Sequence, residues 1–324
     1  MIDLIIPYYN NPDGLTRTLE SIVCPELFYI TVVDDCSDVH MPASPTKVNQ
    51  VLRYNKNRGP GYARQWGIDK TSNEWIMFID TGDVFLSRES FDEIVKAIEN
   101  NSEANIISFS YIYNDRIENE QSNRMHGKIY KRDFLEHYNI TFAVSGKYLN
   151  EVFAAESSYM NEDIGFNRTC RLCTNIDTHP IAYIDTPTIK WIEEENSLTS
   201  EDNHVRLYRN QTCALSFNEI HTIETCRANG INVEEEINQI AIALYYWFIR
   251  AAAERPTYLQ SAWNGAQYFY KYFQKDIDPN KLLLGNAYMK KCLLYRNKIS
   301  FPVNILRFAD EIQKYEIVPS KYLT

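Results

Sequence analysis

The sequence predicts an α/β fold, with a mostly parallel sheet flanked by helices over residues 1–203 and an all-helical region over 204–324. Three observations carry this. The stretch Trp75-Ile-Met-Phe-Ile-Asp-Thr-Gly-Asp83 is an apolar run that stops at two carboxylates. Buried parallel strands read as such runs, and open α/β sheets place ligands beyond the carboxyl ends of their strands. Strand and helix signals then alternate as far as Tyr113, the rhythm of βαβ units. From about Val205 onward the apolar positions recur at helical spacing only.

Asp3 to Tyr8 is the first strand, and Asn10-Asn-Pro-Asp-Gly14 is a turn in which Asn11 caps a helix and Pro12 opens it. Leu15, Leu19 and Ile22 follow at helical spacing. Tyr29 to Asp34 is the second strand, Met41 to Pro45 a loop and Val48 to Tyr54 the third strand. Asn57-Arg-Gly-Pro-Gly61 breaks the chain before a helix over Tyr62 to Lys70. Trp75 to Ile79 is the fourth strand. Glu89 to Glu99 is a helix with Phe91, Ile94, Val95 and Ile98 on one face, and Asn105 to Tyr113 is the fifth strand. Then come a short strand over Gly127 to Tyr130, a short helix over Lys131 to His137 and a helix over Ser157 to Cys173. Strands over Ile181 to Ile184 and Thr188 to Ile192 complete the first part. Helices are expected over 205–228, 233–253, 256–275, 279–294 and 303–315, punctuated by Gly230, Pro256, Pro279 and Pro302.

The chain has 324 residues, 44% of them hydrophobic, enough for a sizeable core in one large domain or two ordinary ones. A net charge of −10 argues against a broad electrostatic grip on nucleic acid or anionic membrane. Seven irregularly spaced cysteines and a first strand that begins at Asp3 suggest free thiols and a cytoplasmic setting. No apolar run reaches the roughly 18–20 residues of a membrane span.

Four motifs end at, or lead away from, the carboxyl edge of the sheet. They are Ile5-Ile-Pro-Tyr-Tyr-Asn10, Val32-Val-Asp-Asp-Cys-Ser-Asp38, Asn57-Arg-Gly-Pro-Gly-Tyr-Ala-Arg64 and Phe78-Ile-Asp-Thr-Gly-Asp83. The ends of parallel strands share one edge, so all four can face one crevice. In this order they resemble a family 2 glycosyltransferase of GT-A fold. His126-Gly-Lys-Ile-Tyr-Lys-Arg132 resembles the family's segment lining the sugar and acceptor pocket, Asn161-Glu-Asp-Ile-Gly165 the acidic pair that holds the catalytic base, and Trp191 to Ser200 the loop that closes over the diphosphate. The resemblance covers residues 1–203 and does not extend to the helical remainder.

The resemblance implies a nucleotide-diphospho-sugar donor and Mn2+ or Mg2+ as cofactor. It implies that Pro7 and Tyr9 border the nucleotide base and that Asp35 hydrogen-bonds it, with Asp34 close by. Arg64 approaches the nucleotide or stabilises acidic neighbours, and a plain salt bridge is nearly as good a reading. Asp80 and Asp83 serve the ribose and the metal. His126 belongs to the donor pocket or, equally, is a satisfied core histidine. Asp163 is the general base and Glu162 its neighbour.

Two departures from the family pattern matter. Members commonly carry Asp-x-Asp-Asp after this strand, whereas here the run is Asp80-Thr-Gly-Asp83. Either Asp83 holds the metal with Asp80 and water, or the ribose contact is lost. The closing loop carries Glu193-Glu-Glu195 where arginine or histidine is common, leaving Lys190, His204 or Arg206 to meet the diphosphate.

Other features have bland readings. Cys170-Arg-Leu-Cys173 has the spacing of half a zinc site or of a redox pair, but no second Cys-x-x-Cys accompanies it. The runs Tyr245 to Phe248 and Tyr268 to Phe273 fit helix core better than stacking platforms. The expected activity is inverting transfer of a sugar, most simply UDP-linked, to a hydroxyl of a glycan, glycolipid or surface polymer. The helical region would shape the acceptor side or mediate self-association. Less favoured acceptors are hydroxymethylated bases of viral DNA, which would need a basic surface from Arg116, Arg124, Lys128, Lys131 and Arg132. Two rivals are a non-catalytic nucleotide-sugar-binding module, raised by Gly82, and a nucleotidyltransferase, opposed by the absence of a glycine- and lysine-rich loop after the first strand.

Overall fold

The computed structural model describes residues 1–39, 41–42, 48–118, 124–143, 162–193, 204–254, 259–285 and 304–322. They fall into two compact units, one holding the described residues up to 143 together with 162–193, the other those from 204 onward.

The first unit is built on one sheet with the strand order β3-β2-β1-β4-β8-β6-β9-β5, and β7 pairs with β6. The strands are β1 (Ile2–Tyr8), β2 (Phe28–Asp34), β3 (Gln50–Arg53), β4 (Trp75–Phe78), β5 (Val84–Phe85), β6 (Ile106–Tyr113), β7 (Arg116–Glu118), β8 (Lys128–Lys131) and β9 (Ile181–Trp191). The helices are α1 (Pro12–Ser21), α2 (Pro60–Asp69), α3 (Arg88–Asn100), α4 (Arg132–His137) and α5 (Glu162–Thr174). The half from β3 to β4 is parallel throughout. β8 then enters antiparallel between β4 and β6, so the whole sheet is mixed.

Alternation along β1 explains how the layers attach. Leu4, Ile6 and Tyr8 pack in one core with Leu15 and Leu19 of α1 and Phe91 and Ile94 of α3. Ile5 faces the other way, against α2. A Cβ placed on Gly67 would lie 2.5 Å from the Ile5 side chain, so the glycine lets helix and sheet close up. Both faces are covered, and β1 is accordingly apolar at nearly every position.

The local signals acted as expected at α1, where Asn11 Oδ1 accepts from Gly14 N at 2.9 Å and Pro12 opens the helix. The two late strands expected over 181–184 and 188–192 are one strand, β9. Its pairing with β6 shifts register between Phe109 and Tyr111, where Asp185-Thr-Pro187 intervenes. Proline cannot donate to the ladder, so the strand is interrupted there without ending. The very short β5 and β7 had no periodicity to announce them.

The second unit contains α6 (His204–Ala228), α7 (Glu234–Glu254), α8 (Leu259–Tyr272) and α9 (Ile305–Lys314). Its core is aromatic: Tyr245, Phe248, Trp263, Tyr270, Phe308 and Tyr322 are buried together. Their polar ends are satisfied, with Trp263 Nε1 donating to Tyr315 O at 2.8 Å and Tyr270 Oη to Ala241 O at 2.8 Å. The aromatic runs of α7 and α8 are thus largely core. Residues 157–161 of one expected helix and 286–294 of another lie outside the described residues. No helix among the described residues is long and apolar enough to cross a membrane.

Candidate functional site

The carboxyl ends of β1 and β2 are stitched together by side chains. Asn10, at φ 49, turns the chain after β1; its N–H donates to Ser37 Oγ at 2.9 Å, and its Oδ1 accepts from Asp38 N at 2.8 Å. Asp34 is spent on this scaffold. Its Oδ1 accepts from Ser37 N at 2.8 Å, its Oδ2 pairs with Arg53, and Arg53 donates onward to Ser37 O at 2.7 Å.

Asp35 reaches across to the start of α2. Its two oxygens accept from the backbone N–H groups of Arg58 and Gly59, each at 2.7 Å. Burial raises its carboxyl to about 6 against the lowering effect of those two bonds. An aromatic cluster lines this corner: Tyr54 stacks on Trp66 at 4.3 Å and meets Tyr62 edge-on at 5.1 Å, while Arg58 lies over Tyr62 at 4.5 Å. The Tyr54 hydroxyl is buried there without a hydrogen-bond partner. Sequence reasoning did not single out these aromatics, although they flank the Asn57–Gly61 break. Pro7 is half-buried, its carbonyl accepting from Thr81 Oγ1 at 2.6 Å, and Tyr9 is exposed.

The end of β4 turns tightly. Asp83 N donates to Asp80 O at 3.0 Å, and Gly82 between them has φ 109. A side chain is strained at such φ, so the turn itself accounts for glycine at 82. Thr18 of α1 locks it, accepting from Gly82 N at 2.9 Å and donating to Asp83 O at 2.8 Å.

Arg64 of α2 joins this turn to α5. Its Nη2 donates to Asp80 Oδ1 at 2.6 Å and its Nη1 to Glu162 Oε1 at 2.7 Å, and the side chain is 4% exposed. Burial would lower the arginine's pKa, but Asp80, Glu162 and Asp163 more than offset it and the guanidinium stays charged. Asp80 is likewise held below its usual range by Arg64, and then His126, against burial. Glu162 goes the other way: burial, and then Asp163, push its carboxyl up to about 7 in spite of Arg64. Asp163 is half-buried at the first turn of α5, its Oδ1 accepting from Ile164 N at 2.8 Å. Two carboxylates in that turn complement the helix dipole.

Asp83 is 2% exposed. Its Oδ1 accepts from Ile192 N at 3.0 Å, and its Oδ2 lies 3.3 Å from His126 Nε2 without hydrogen-bond alignment. Burial, opposed by His126 and reinforced by Asp80, raises its pKa. His126 packs against two rings, Trp191 stacked at 4.8 Å and Tyr111 tilted at 5.2 Å. Trp191 in turn stacks on Tyr113 at 4.1 Å and lies under Arg124 at 4.7 Å. This stack was not foreseen. It depends on β6 and β9 pairing in register, which no local pattern encodes.

Among the described residues, Asp80, Asp83 and His126 offer donor atoms that all lie within 4.8 Å of one another. Asp83 Oδ2 and both His126 ring nitrogens are buried with no hydrogen-bond partner. Buried polar atoms are rarely left so, and two carboxylates with an imidazole form a suitable donor set for a divalent cation. The residues therefore fit a metal.

Several expectations need correction. Lys190 does not turn to the site, because its Nζ donates to Asp115 Oδ1 at 2.9 Å. The side chains of His204 and Arg206 lie outside the described residues. Of the five basic residues named for a nucleic-acid surface, Lys128 and Arg132 are buried. Lys128 donates to Arg124 O at 2.8 Å, and Arg132 is bound to Asp3 at the opposite edge of the sheet. Cys170 and Cys173 are buried free thiols of α5.

The sheet order and the family match give this unit a GT-A type fold. Residues 3–157, just under half of the chain, match the family model described as Glycosyl transferase family 2. The match stops short of Glu162 and Asp163. An uncharacterized glycosyltransferase of Haemophilus influenzae is 30% identical over 111 residues, 33% of this chain and 37% of that protein. The succinoglycan biosynthesis protein ExoO of Rhizobium meliloti is 33% identical over 88 residues, 25% of each chain. The chain thus spans little more than a third of these relatives at most. A structure of S. aureus TarS 1–349 in complex with UDP-GlcNAc is 18% identical, with a TM-score of 0.49 over 85% of this chain and 92% of that one. That score lies below 0.5, so the fold assignment stands on the topology and the family match.

Proposed function

We propose that the chain is an inverting glycosyltransferase that moves a sugar from a nucleotide-diphosphate donor, most simply a UDP-sugar, to an acceptor hydroxyl on a glycan, glycolipid or surface polymer. One observation carries the reading: Arg64 holds Asp80 and Glu162 at 2.6 and 2.7 Å, drawing the turn after β4 and the first turn of α5 into one charged cluster.

The roles follow from this arrangement. Asp35 orders the backbone entering α2, and the corner of Tyr54, Tyr62 and Trp66 offers flat apolar faces to a nucleobase. Asp80 and Asp83 would hold Mn2+ or Mg2+, which when bound offsets the charge of the diphosphate and of the departing nucleoside diphosphate. Glu162 is committed to Arg64, leaving Asp163 as the carboxylate of the pair to accept the acceptor's proton. A sugar hydroxyl is a poor nucleophile at neutral pH, and a positioned base typically contributes ~10²–10⁴-fold. A single displacement from the face opposite the leaving group inverts the anomeric centre.

Purified protein with Mn2+ and a panel of nucleotide sugars should release nucleoside diphosphate slowly even without acceptor. If no donor is bound or hydrolysed, and Asp163→Asn changes nothing, the enzyme reading is wrong.

A further inference from the structure

We propose that His126 is a nitrogen ligand of the metal, taking the coordination place left by the missing carboxylate at Gly82. The proposal rests on the glycosyltransferase reading only for the ion's purpose, not for its binding.

The geometry has three parts. His126 Nε2 and Asp83 Oδ2 lie 3.3 Å apart, and neither has a hydrogen-bond partner. Two ligands about 2.1 Å from one ion and at right angles lie about 3 Å from each other, so this separation suits a shared ion better than an unaligned contact. The imidazole is 7% exposed and fixed by its ring contacts with Tyr111 and Trp191. Its entry to the site is fixed by Gly127, at φ 67, where an added Cβ would lie 2.8 Å from Phe109 O. Asp83 Oδ1 is held by Ile192 N, which aims Oδ2 at the ring. A histidine serving only as core would have an aligned partner for at least one ring nitrogen; here Nδ1 is buried and unpartnered, and Nε2 meets only Asp83 Oδ2, 3.3 Å away and out of hydrogen-bond alignment. An imidazole suits first-row transition metals, whereas Mg2+ takes oxygen. The site should therefore favour Mn2+ over Mg2+ more strongly than an all-carboxylate site does.

The test is pulsed electron paramagnetic resonance on Mn2+ added to the full chain, alone and with UDP, using protein carrying 14N- or 15N-histidine. The expected result is a nitrogen modulation that changes with the isotope and disappears in His126→Gln, together with at least tenfold weaker Mn2+ binding in that variant. His126→Asp should bind both ions and lose most of the preference for Mn2+. The isotope comparison on the wild-type chain needs no variant to fold, and melting curves of both variants check that they do. Bound Mn2+ without histidine nitrogen, a signal that survives in His126→Gln, or no bound Mn2+ under either condition would overturn the proposal. A nitrogen signal in a protein that hydrolyses no donor would support the ligand while removing the proposed function. Turnover with a carboxylate-only ion would do the reverse.

Discussion

The two edges of the parallel half-sheet use the same kinds of side chain to opposite ends. At the amino edge, Asp3 is fully buried and accepts from Asn73 N at 2.8 Å, from Asn73 Nδ2 and from Arg132 Nη2 at 2.8 Å. Arg132 also donates to Asn73 O, Ile68 O and Thr71 Oγ1. At the carboxyl edge, Arg64 meets two carboxylates, yet its Nε, Asp83 Oδ2 and both nitrogens of His126 are buried without partners. Leaving such atoms unpaired costs about 1–3 kcal/mol each, so the first edge is closed on itself, whereas the second keeps polar atoms that the proposed ligands would satisfy. The difference shows that a buried charge does not mark a site. What marks it is the set of polar atoms left over when every internal bond has been counted.

The largest effect that could break this contrast is on catalysis. Asp163→Asn should reduce sugar transfer ~10²–10⁴-fold while leaving donor affinity within a few-fold, measured by initial rates and calorimetry on one preparation. Equal rates in variant and wild type would remove the base from α5.

Next comes stability at the satisfied edge. Arg132→Met leaves Asp3 charged and dry, and chemical denaturation should show a loss of about 3–5 kcal/mol with Mn2+ affinity unchanged in the folded fraction. Arg64→Met should cost less, roughly 1–3 kcal/mol, because Asp80 is 37% exposed and rehydrates while Glu162 takes up a proton. A greater loss from Arg64→Met than from Arg132→Met would reverse the assignment of the two edges.

A smaller effect sharpens the contrast through pH. Glu162 rises from 4.5 to about 7 on folding, so the folded state binds its proton more tightly than the unfolded chain does. Its contribution is fully present below about pH 4.5 and is lost as pH rises through about 7. Thermal melts should show wild-type stability declining over this window more steeply than that of Glu162→Gln, by on the order of 1 kcal/mol. Parallel pH profiles would mean that the glutamate is not protonated more readily in the fold.

Much of this architecture was legible in the sequence, and the reasons are physical. Runs such as Leu4 to Ile6 and Trp75 to Phe78, cut off by polar turns, can be read without knowing their partners. The turn chemistry of Asn11-Pro12 fixed one helix start, whereas the helix expected from Tyr62 begins two residues earlier, at Pro60. Asp80, Asp83, Arg64 and Glu162 were recognisable because each stands at the end of an element or in a motif that leads into one. Their individual duties were not. Asp34 turned out to be a scaffold residue and Arg132 left the surface, because Arg53 lies 19 positions from the one and Asp3 129 positions from the other. The pairing of His126 with Trp191 was hidden for the same reason: it needs β8, β6 and β9 to lie side by side.

The central claim is that the Arg64-centred cluster forms one metal-dependent donor site. Titration calorimetry of UDP and GDP into wild type and Arg64→Met, with and without Mn2+, tests it directly. The account predicts that one of the nucleotides binds wild type chiefly when Mn2+ is present, and binds Arg64→Met at least tenfold more weakly although the variant remains folded by circular dichroism. Equal affinity in the two proteins, or no binding of either nucleotide to wild type with Mn2+, would contradict it.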